Sequence, residues 1–303
     1  MQDFQEIIKI CVFLNTIEIA MLFTVFTPTY NRSHLLQRLF ESLCSQTVRN
    51  FEWLIIDDGS TDDTEKVVAV FEEKADFPVR YIKQKNQGKH IAINTAVENA
   101  KGKWYLPIDS DDFLANNALE ICQDLALETN GNQFGGFTFI HAPEELVEKK
   151  QENIIQKWTE YNSYHWEFAG EMMYVFKMDV IKRYPFPVFE HEKFCQESVQ
   201  IIPIVKNYEI LFTDHILAYG EYLEDGLSQN LYQRLLKNPQ YSMLALKTKL
   251  AVAKTQDEKK MLAKNYWDIA LKTGQSKIKT FFNFPMFLNL SYIKYRIQKK
   301  IKK

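Results

Sequence analysis

The sequence has few cysteines, and none are spaced to build a disulfide framework or a zinc site. Four are present in 303 residues, Cys11, Cys44, Cys122 and Cys195, and no two of them form a Cys-x-x-Cys pair. Zinc sites and small disulfide-stabilised domains depend on closely spaced cysteines. We therefore expect free thiols in a reducing, cytoplasmic compartment.

Glycine-rich phosphate loops are missing as well. No Gly-x-Gly-x-x-Gly follows a predicted strand, which excludes a dinucleotide-dependent oxidoreductase, and the P-loop pattern does not occur. There is no Gly-x-Ser-x-Gly elbow, and the six histidines show no metal-binding spacing. We expect His90 and His141 to be surface or helix-capping residues.

An excess of one charge is absent from the whole chain but not from its parts. Lys and Arg number 37 and Asp and Glu 39, so the net charge of −2 argues against a dedicated nucleic-acid-binding protein. From Ile269 onward, however, there are nine basic residues and no acidic one. The first 268 residues must then carry a net charge of −11, so an acidic body precedes a basic tail.

No apolar run reaches the roughly twenty residues that a membrane span needs. Lys9 and Glu18 interrupt the apolar stretch near the N terminus, and acidic rather than basic residues precede it, unlike a signal peptide. We expect residues 1–20 to be a dispensable extension.

Short apolar runs and helical patterns alternate between residues 22 and 112. Strands are predicted at 22–27, 51–58, 79–84 and 103–109, with helices between them. Such a succession of βαβ units indicates a mainly parallel sheet. Beyond residue 112 the predicted elements are mixed: a helix at 115–129, strands at 134–140, 167–177 and 208–213, a helix at 196–207, and almost wholly helical chain from 228 to 272.

Acidic residues lie where two of the parallel strands end. Asp57 and Asp58 close the second strand, and Asp109, Asp111 and Asp112 close the fourth. Ligands of open α/β sheets bind beyond the carboxyl ends of the strands, and carboxylates are hard ligands that suit Mg²⁺ or Mn²⁺. Side chains alternate along an extended chain, so Asp109 and Asp111 share a face and Asp112 needs a turn to join them. An acidic helix-capping turn is the alternative.

Four segments, in this order, resemble the nucleotide-sugar half of family 2 glycosyltransferases, which have the GT-A fold: FTVFTPTYNR, FEWLIIDDGSTDDT, KQKNQGKHIAINTAV and GKWYLPIDSDD. FCQESVQ and AYGEYLEDGLS resemble the acceptor half, so the likeness covers about residues 22 to 228. It implies an α/β protein of GT-A type, with a Rossmann-like mixed sheet that is mainly parallel in its N-terminal half, flanking helices and a helical C-terminal appendage. We accordingly expect a catalytic domain at 21–227 and a helical region with a basic aromatic tail at 228–303.

The resemblance also implies a reaction. Such a protein would move a sugar, with inversion, from a nucleotide-sugar donor to a hydroxyl of a glycan or lipid-linked acceptor in cell-surface polysaccharide biosynthesis. We expect a UDP-sugar donor, Mn²⁺ or Mg²⁺ as cofactor and no nucleic-acid partner. Two alternatives stay open. A sugar-nucleotidyltransferase would need a glycine-rich loop where Pro28-Thr29-Tyr30-Asn31 stands, and a non-catalytic nucleotide-sugar or glycan-binding module would not need three acids.

The site residues follow from the same resemblance. Asp112 and Asp111, with Asp109 in support, are expected to bind the metal ion. Residues expected to bind the donor are Thr27, Pro28, Tyr30, Asp58, Asn86, Gly88, Lys89, Asn94, Asp109 and Asp111. In this set Asp58 would contact the base, with Asp57 structural. Lys89 lies at a helix N-terminus, where backbone amides and a cation favour phosphate, and Asn94 would orient the strand-end loop.

The resemblance assigns the general base to Glu197, which would take the proton of the acceptor hydroxyl. The family often has a Glu-Asp pair at this place, whereas Gln196-Glu197 stands here, so Glu192 is kept as an alternative base. An exposed glutamate at the start of a helix, without a catalytic role, is the alternative interpretation of Glu197.

The last residues, 277–303, mix Phe, Leu, Ile and Tyr with basic residues and contain no acid. Asn283, Pro285 and Asn289 interrupt the apolar stretch, which is too short and polar to span a bilayer. We expect this segment to make a peripheral contact with an anionic membrane surface at the cytoplasmic face. A core-packing helix with a frayed basic end is the alternative.

Overall fold

The parallel strands predicted between residues 22 and 112 are present and pair side by side. The computed structural model describes residues 21–143, the backbone of 156–158, and residues 171–220, 230–290 and 292. The strands are β1 (Phe23–Thr29), β2 (Phe51–Asp57), β3 (Val79–Lys83) and β4 (Trp104–Pro107), in the order β3-β2-β1-β4. Thr29 lies opposite Asp57, and Asp57 opposite Lys83. The carboxyl ends of the strands therefore meet at one edge of the sheet.

The sheet continues with strands of both directions. These are β5 (Phe113–Leu114), β6 (Phe134–Ala142), β7 (Gln156–Trp158), β8 (Glu171–Lys177), β9 (Glu209–Phe212) and β10 (Ile216–Tyr219). β8 is antiparallel to β4 and β6, whereas β10 is parallel to β6 and antiparallel to β5. The expected α/β class, with a mixed sheet that is mainly parallel in its N-terminal half, is confirmed.

Helices flank the sheet and continue beyond it. They are α1 (Leu36–Cys44), α2 (Thr64–Lys74), α3 (Lys89–Asn99), α4 (Ala118–Glu128), α5 (Met178–Ile181), α6 (Ser198–Asn207), α7 (Leu231–Lys237), α8 (Pro239–Leu250), α9 (Gln256–Lys272) and α10 (Lys277–Phe282). Two of them differ from expectation. The helix predicted from residue 115 begins only at Ala118, because the Ala115 backbone N–H still binds the Leu217 carbonyl oxygen of β10 (3.0 Å). The helical region after residue 228 is divided at Pro239 and again before Thr255, which caps α9 through a capping box with Glu258.

Each domain boundary that we expect falls beside or among residues outside this description, as does the extension 1–20 and the end of the basic tail. These boundaries therefore stay predictions. Within the described part of the chain, no helix combines the length and apolarity that crossing a bilayer requires.

The apolar core lies on both faces of the parallel strands. All seven residues of β2 are buried, and successive ones face opposite ways. Trp53 and Ile55 belong to the cluster that includes side chains of α1 and α2, while Leu54 and Ile56 belong to the cluster that includes side chains of α3. This two-sided burial explains why the strand is a nearly continuous apolar run.

A fully buried carboxylate on β2 ties the neighbouring strands together. Glu52 accepts hydrogen bonds from the Thr24 hydroxyl of β1 (2.6 Å) and from the Lys101 backbone N–H just before β4 (2.6 Å). The guanidinium of Arg80, on β3, lies 2.7 Å away and compensates the charge. One buried carboxylate thus joins β1, β3 and the segment before β4, and their donors satisfy it.

We expect Glu52→Ala to lower the free energy of unfolding by about 3–5 kcal/mol, because the Arg80 charge and two donors lose their acceptor. Urea denaturation measures the change. The matched control is Glu65→Ala, whose pair with Lys83 (3.9 Å) is largely exposed and should be worth less than about 1 kcal/mol. Equal losses from the two substitutions would contradict the role given to Glu52.

Candidate active site

Three carboxylates gather directly after β4. Asp109, Asp111 and Asp112 each place one oxygen within 4.8 Å of the other two. A turn closed by the Asp112 backbone N–H and the Asp109 carbonyl oxygen (3.2 Å) brings Asp112 round to join its neighbours. A donor set made only of carboxylate oxygens suits Mg²⁺ or Mn²⁺. The residues present therefore fit a divalent cation.

Residues from other strand ends contact this acidic cluster. Arg32 follows β1 and places Nη1 2.9 Å from Oδ2 of Asp111. His141 lies near the end of β6, and its Nε2 is 2.9 Å from Oδ1 of Asp112. A Cβ on Gly220 would lie only 2.0 Å from the same Asp112 oxygen, so the absence of a side chain at Gly220 leaves room for the contact between Asp112 and His141.

The Asp112–His141 pair is largely buried, with side chains 12% and 14% exposed. Burial raises the pKa of the Asp112 carboxyl above its usual value, and the charges of Asp109 and Asp111 add to this against the opposing effect of His141. Burial alone would lower the pKa of His141, but the Asp112 carboxylate outweighs it and raises that pKa. The expectation that His141 is a surface or capping residue is wrong.

Lys89, the first residue of α3, links the acidic cluster to the candidate base. Its Nζ lies 2.9 Å from the Asp109 carboxylate and 2.9 Å from Oε1 of Glu197. Burial would lower the pKa of the ammonium, but the two carboxylates hold it well above its usual value. Glu197 immediately precedes α6 and its side chain is 53% exposed, so an incoming group can reach it.

The alternative base has a different environment. Glu192 is 8% exposed and accepts hydrogen bonds from the backbone N–H groups of Gln240 (2.9 Å) and Tyr241 (3.0 Å). These groups belong to the first turn of α8, which the carboxylate therefore caps. The geometry favours Glu197 over Glu192 as the base, and the assignment stays a prediction.

The two carboxylates at the end of β2 both bind backbone groups. Asp57, expected to be structural, is fully buried and accepts the Ser60 N–H (2.7 Å). Asp58 is 6% exposed and accepts the N–H groups of Gln87 (2.9 Å) and Gly88 (2.7 Å). Asp58 thus holds the loop that leads into α3. Its expected contact with a nucleotide base stays a prediction.

Two further side chains of the expected donor-binding set are engaged within the protein. Thr27 is fully buried and its hydroxyl accepts the Trp53 indole N–H (2.9 Å). Asn94 binds the backbone of Phe186, in the segment after α5, in both directions (2.8 and 2.9 Å). Its expected roles in orienting the strand-end loop and in binding the donor stay predictions. The other members of the set are partly or largely exposed near the strand ends: Pro28, Tyr30 and Asn86.

The environments of two buried residues near Lys89 were not predicted from the sequence. Burial raises the pKa of the Tyr105 phenol well above its usual value, with further effects from the nearby charges of Lys89, Glu197 and Asp109. The phenol oxygen has no hydrogen-bond partner among the described residues. His90 is 2% exposed and meets the Tyr241 ring edge-on at 4.4 Å, so the expectation of a surface residue is wrong. Burial lowers the pKa of His90 to about 4, which keeps the ring neutral.

The fold and the acidic cluster define an α/β protein of GT-A type, and comparison with solved structures agrees. The Staphylococcus aureus TarS 1–349 structure in complex with UDP covers 90% of this chain and 78% of its own, with a TM-score of 0.55 and 19% identity. This likeness supports the fold. A family model described as Glycosyl transferase family 2 matches residues 24–188, more than half of the chain. The chain therefore belongs to glycosyl transferase family 2.

Curated proteins are similar to parts of this chain. A chondroitin synthase of Escherichia coli is 43% identical over 110 residues, which are 36% of this chain and 16% of that protein. The GalNAc(5)-diNAcBac-PP-undecaprenol beta-1,3-glucosyltransferase of Campylobacter jejuni is 26% identical over 252 residues, 80% of each chain. The chain spans a quarter or less of the length of several curated relatives that it matches.

We expect Gly88→Ala to displace the segment that carries Glu197. The φ of Gly88 is +97°, and an added Cβ would lie 2.0 Å from the Lys193 carbonyl oxygen. The free energy of unfolding, measured in urea, should fall by about 3 kcal/mol. Gly274→Ala is the control: its φ is +68° but no atom lies within 4 Å, so only backbone strain of about 1 kcal/mol applies. A loss no larger than in this control would contradict the close approach.

Proposed function

We propose that the chain is an inverting glycosyltransferase that moves a sugar from a nucleotide-sugar donor to an acceptor hydroxyl. The observation that carries the proposal is the Lys89 ammonium, which joins the acidic cluster at Asp109 to the accessible carboxylate of Glu197. Displacing a nucleotide requires positive charge for the leaving group and a base for the attacking hydroxyl. Membership of glycosyl transferase family 2 supports the same reaction class.

The names of the similar proteins support the classes of donor and acceptor. TarS was solved with UDP, and the Campylobacter protein is named for a PP-undecaprenol glycan. For this chain we infer a UDP-sugar as donor and a glycan or a lipid-linked glycan as acceptor, within cell-surface polysaccharide biosynthesis. A cytoplasmic location, peripheral to the membrane face, is part of the proposal, because segment 277–303 is basic and free of acids.

The acidic cluster is proposed to hold Mn²⁺ or Mg²⁺. Asp111 and Asp112 would provide the principal ligands and Asp109 a supporting one. A divalent cation supplies charge neutralisation for the pyrophosphate of the leaving nucleotide. His141 orients the Asp112 carboxylate and Arg32 the Asp111 carboxylate.

The chain's own residues account for the remaining steps. Lys89 places a fixed positive charge at the N-terminus of α3, where phosphate groups bind favourably. Glu197 accepts the proton of the acceptor hydroxyl while that oxygen attacks the anomeric carbon from the side opposite the nucleotide. The new glycosidic bond forms as the bond to the nucleotide breaks, so an α-linked donor gives a β-linked product. The contact with Lys89 fixes the orientation of the Glu197 carboxylate.

A panel of nucleotide sugars, each with Mn²⁺ or Mg²⁺, tests this proposal through release of the nucleotide. We expect release from one donor, stimulated by the cation. Asp112→Asn should reduce it to the level without cation, whereas Asp124→Asn, on the exposed side of α4, should leave it unchanged. Full cation stimulation in Asp112→Asn would contradict the metal assignment.

Two other outcomes would replace the proposed reaction. Pyrophosphate formed from a nucleoside triphosphate and a sugar phosphate would identify a sugar-nucleotidyltransferase. Binding of a nucleotide sugar without turnover, with or without glycan acceptors, would identify a non-catalytic binding module. Thermal shift with the same panel detects such binding, because a ligand stabilises the native state that it binds.

Glu197 and Glu192 provide a matched pair for locating the base. We expect Glu197→Gln to slow transfer by about 10²–10⁴-fold, because the amide cannot accept the proton, while the donor affinity changes little. Glu192→Gln should instead weaken the cap of α8 by about 1 kcal/mol and leave transfer nearly intact. Steady-state rates, donor titration and urea denaturation separate these effects. The reverse pattern would move the base to Glu192.

A further inference from the structure

The segment 277–290 carries two apolar series that face opposite ways. Phe284 and Leu288, four residues apart, are 4% and 1% exposed. Phe282, Met286 and Leu290, also four residues apart, are 78%, 64% and 56% exposed. Helix α10 ends at Phe282 and helical backbone resumes only at residue 286, so the measured exposures, not a single helical period, separate the two series. One series is therefore core and the other lies on the surface.

Contacts with α9 fix this orientation. The Phe284 ring stacks on Tyr266 with 4.2 Å between centroids. Asn289 is fully buried, accepts the Trp267 indole N–H (2.8 Å) and donates to the Phe281 (2.7 Å) and Phe284 (2.9 Å) carbonyl oxygens. Turning the segment over would break these bonds and bury an unsatisfied amide. The exposed series is thus held outward.

Five large exposed apolar side chains fall within the thirteen residues 278–290, and we call this set the apolar face. Its members are between 56% and 78% exposed: Ile278, Phe282, Met286, Phe287 and Leu290. In the rest of the described chain, large apolar side chains are exposed singly or, at Leu231 and Tyr232, as a pair. Scattered exposed apolar residues are ordinary, whereas a contiguous patch marks an interaction surface.

A shallow groove adjoins the apolar face at Phe287. It has a volume of about 340 Å³ and lies between the end of α8, the start of α9 and residues 285–287. The floor is apolar, and two lysines line it. The lining residues are Lys247, Leu250, Ala251, Lys259, Pro285 and Phe287. An acyl chain fits the chemistry of the floor, and a lipid phosphate fits the two ammonium groups.

We propose that the apolar face and this groove dock the protein on an anionic lipid bilayer. The apolar side chains enter the boundary between headgroups and acyl chains, and the lysines contact lipid phosphates. Charge decides between a bilayer and a second copy of the chain. From Ile269 to the end there are nine basic residues and no acid, so two such faces repel each other while anionic lipid attracts them. Docking would bring the protein to a lipid-linked acceptor, and this part of the inference rests on the proposed function.

Vesicle flotation of the full chain tests the proposal. Vesicles of phosphatidylcholine alone are compared with vesicles that also contain phosphatidylglycerol. We expect binding to the anionic vesicles, weakened by added salt. The double variant F282S/F287S should bind about tenfold less tightly or weaker still, since two phenyl groups no longer leave water. L127S/V188S, with side chains 69% and 63% exposed elsewhere, should bind like the wild type.

The lysines of the groove are tested separately. K247Q and K259Q should each weaken binding to anionic vesicles roughly fivefold and leave the binding to neutral vesicles unchanged. All of these variants alter side chains that solvent reaches, and urea denaturation checks that their folding is intact.

Equal flotation of wild type and F282S/F287S, or no binding of wild type to anionic vesicles, would overturn the docking surface. So would light scattering that shows a dimer which F282S/F287S dissociates, since the face would then join two copies. Nucleotide release with a soluble acceptor is an independent readout, expected to be unchanged in F282S/F287S. Flotation without any transfer would refute the proposed function and leave the docking surface standing.

Discussion

The candidate site depends on one contact, the Lys89 ammonium held between the carboxylates of Asp109 and Glu197. Asp109 belongs to the parallel half of the sheet and Glu197 to the segment before α6, so this lysine connects two parts of the chain. The position of Lys89 depends on the loop before it. Asp58 accepts hydrogen bonds from the N–H groups of Gln87 and Gly88 and thereby fixes where α3 begins. Without the ammonium, two carboxylates would face each other across the same gap.

Each carboxylate of the acidic cluster contacts a separate basic side chain, and no single large basic patch surrounds the cluster among the described residues. Each of its carboxylates has its own basic partner from a different strand end or helix start: Asp111 with Arg32, Asp109 with Lys89, and Asp112 with His141. Carboxylates this close repel one another, and the positive charges of Arg32 and Lys89 offset that repulsion. A divalent cation would therefore compete with existing contacts, and a metal ion bound by Asp109 would leave Lys89 held by Glu197 beside the phosphate groups.

What the sequence predicts well is local, and what it misses joins distant residues. The apolar runs that end in Asp58 and Asp112 identify the strands and their carboxyl ends, because the apolar pattern of a buried strand depends only on residues that are neighbours in the sequence. Nothing near His141 indicates that it will meet Asp112, and Gly220 has a purpose only once that pair exists. In the same way, no local pattern separates Glu192, which caps a helix 48 residues away, from Glu197, which faces a lysine. The fold class was thus accessible from sequence, whereas the role of each carboxylate required the contacts.

Helix α8 connects the candidate base with the proposed docking surface. Its first turn is capped by Glu192, and Lys249 near its other end donates to the side chain of Gln196, the neighbour of Glu197 (3.1 Å). Lys247 and Leu250, in the last turn of the same helix, line the groove beside the apolar face. The segment that carries Glu197 is therefore attached along the helix whose end lines this groove. Docking through this surface would hold α8, and with it Glu197, in a fixed orientation to the bilayer, where the proposed lipid-linked acceptor would be presented.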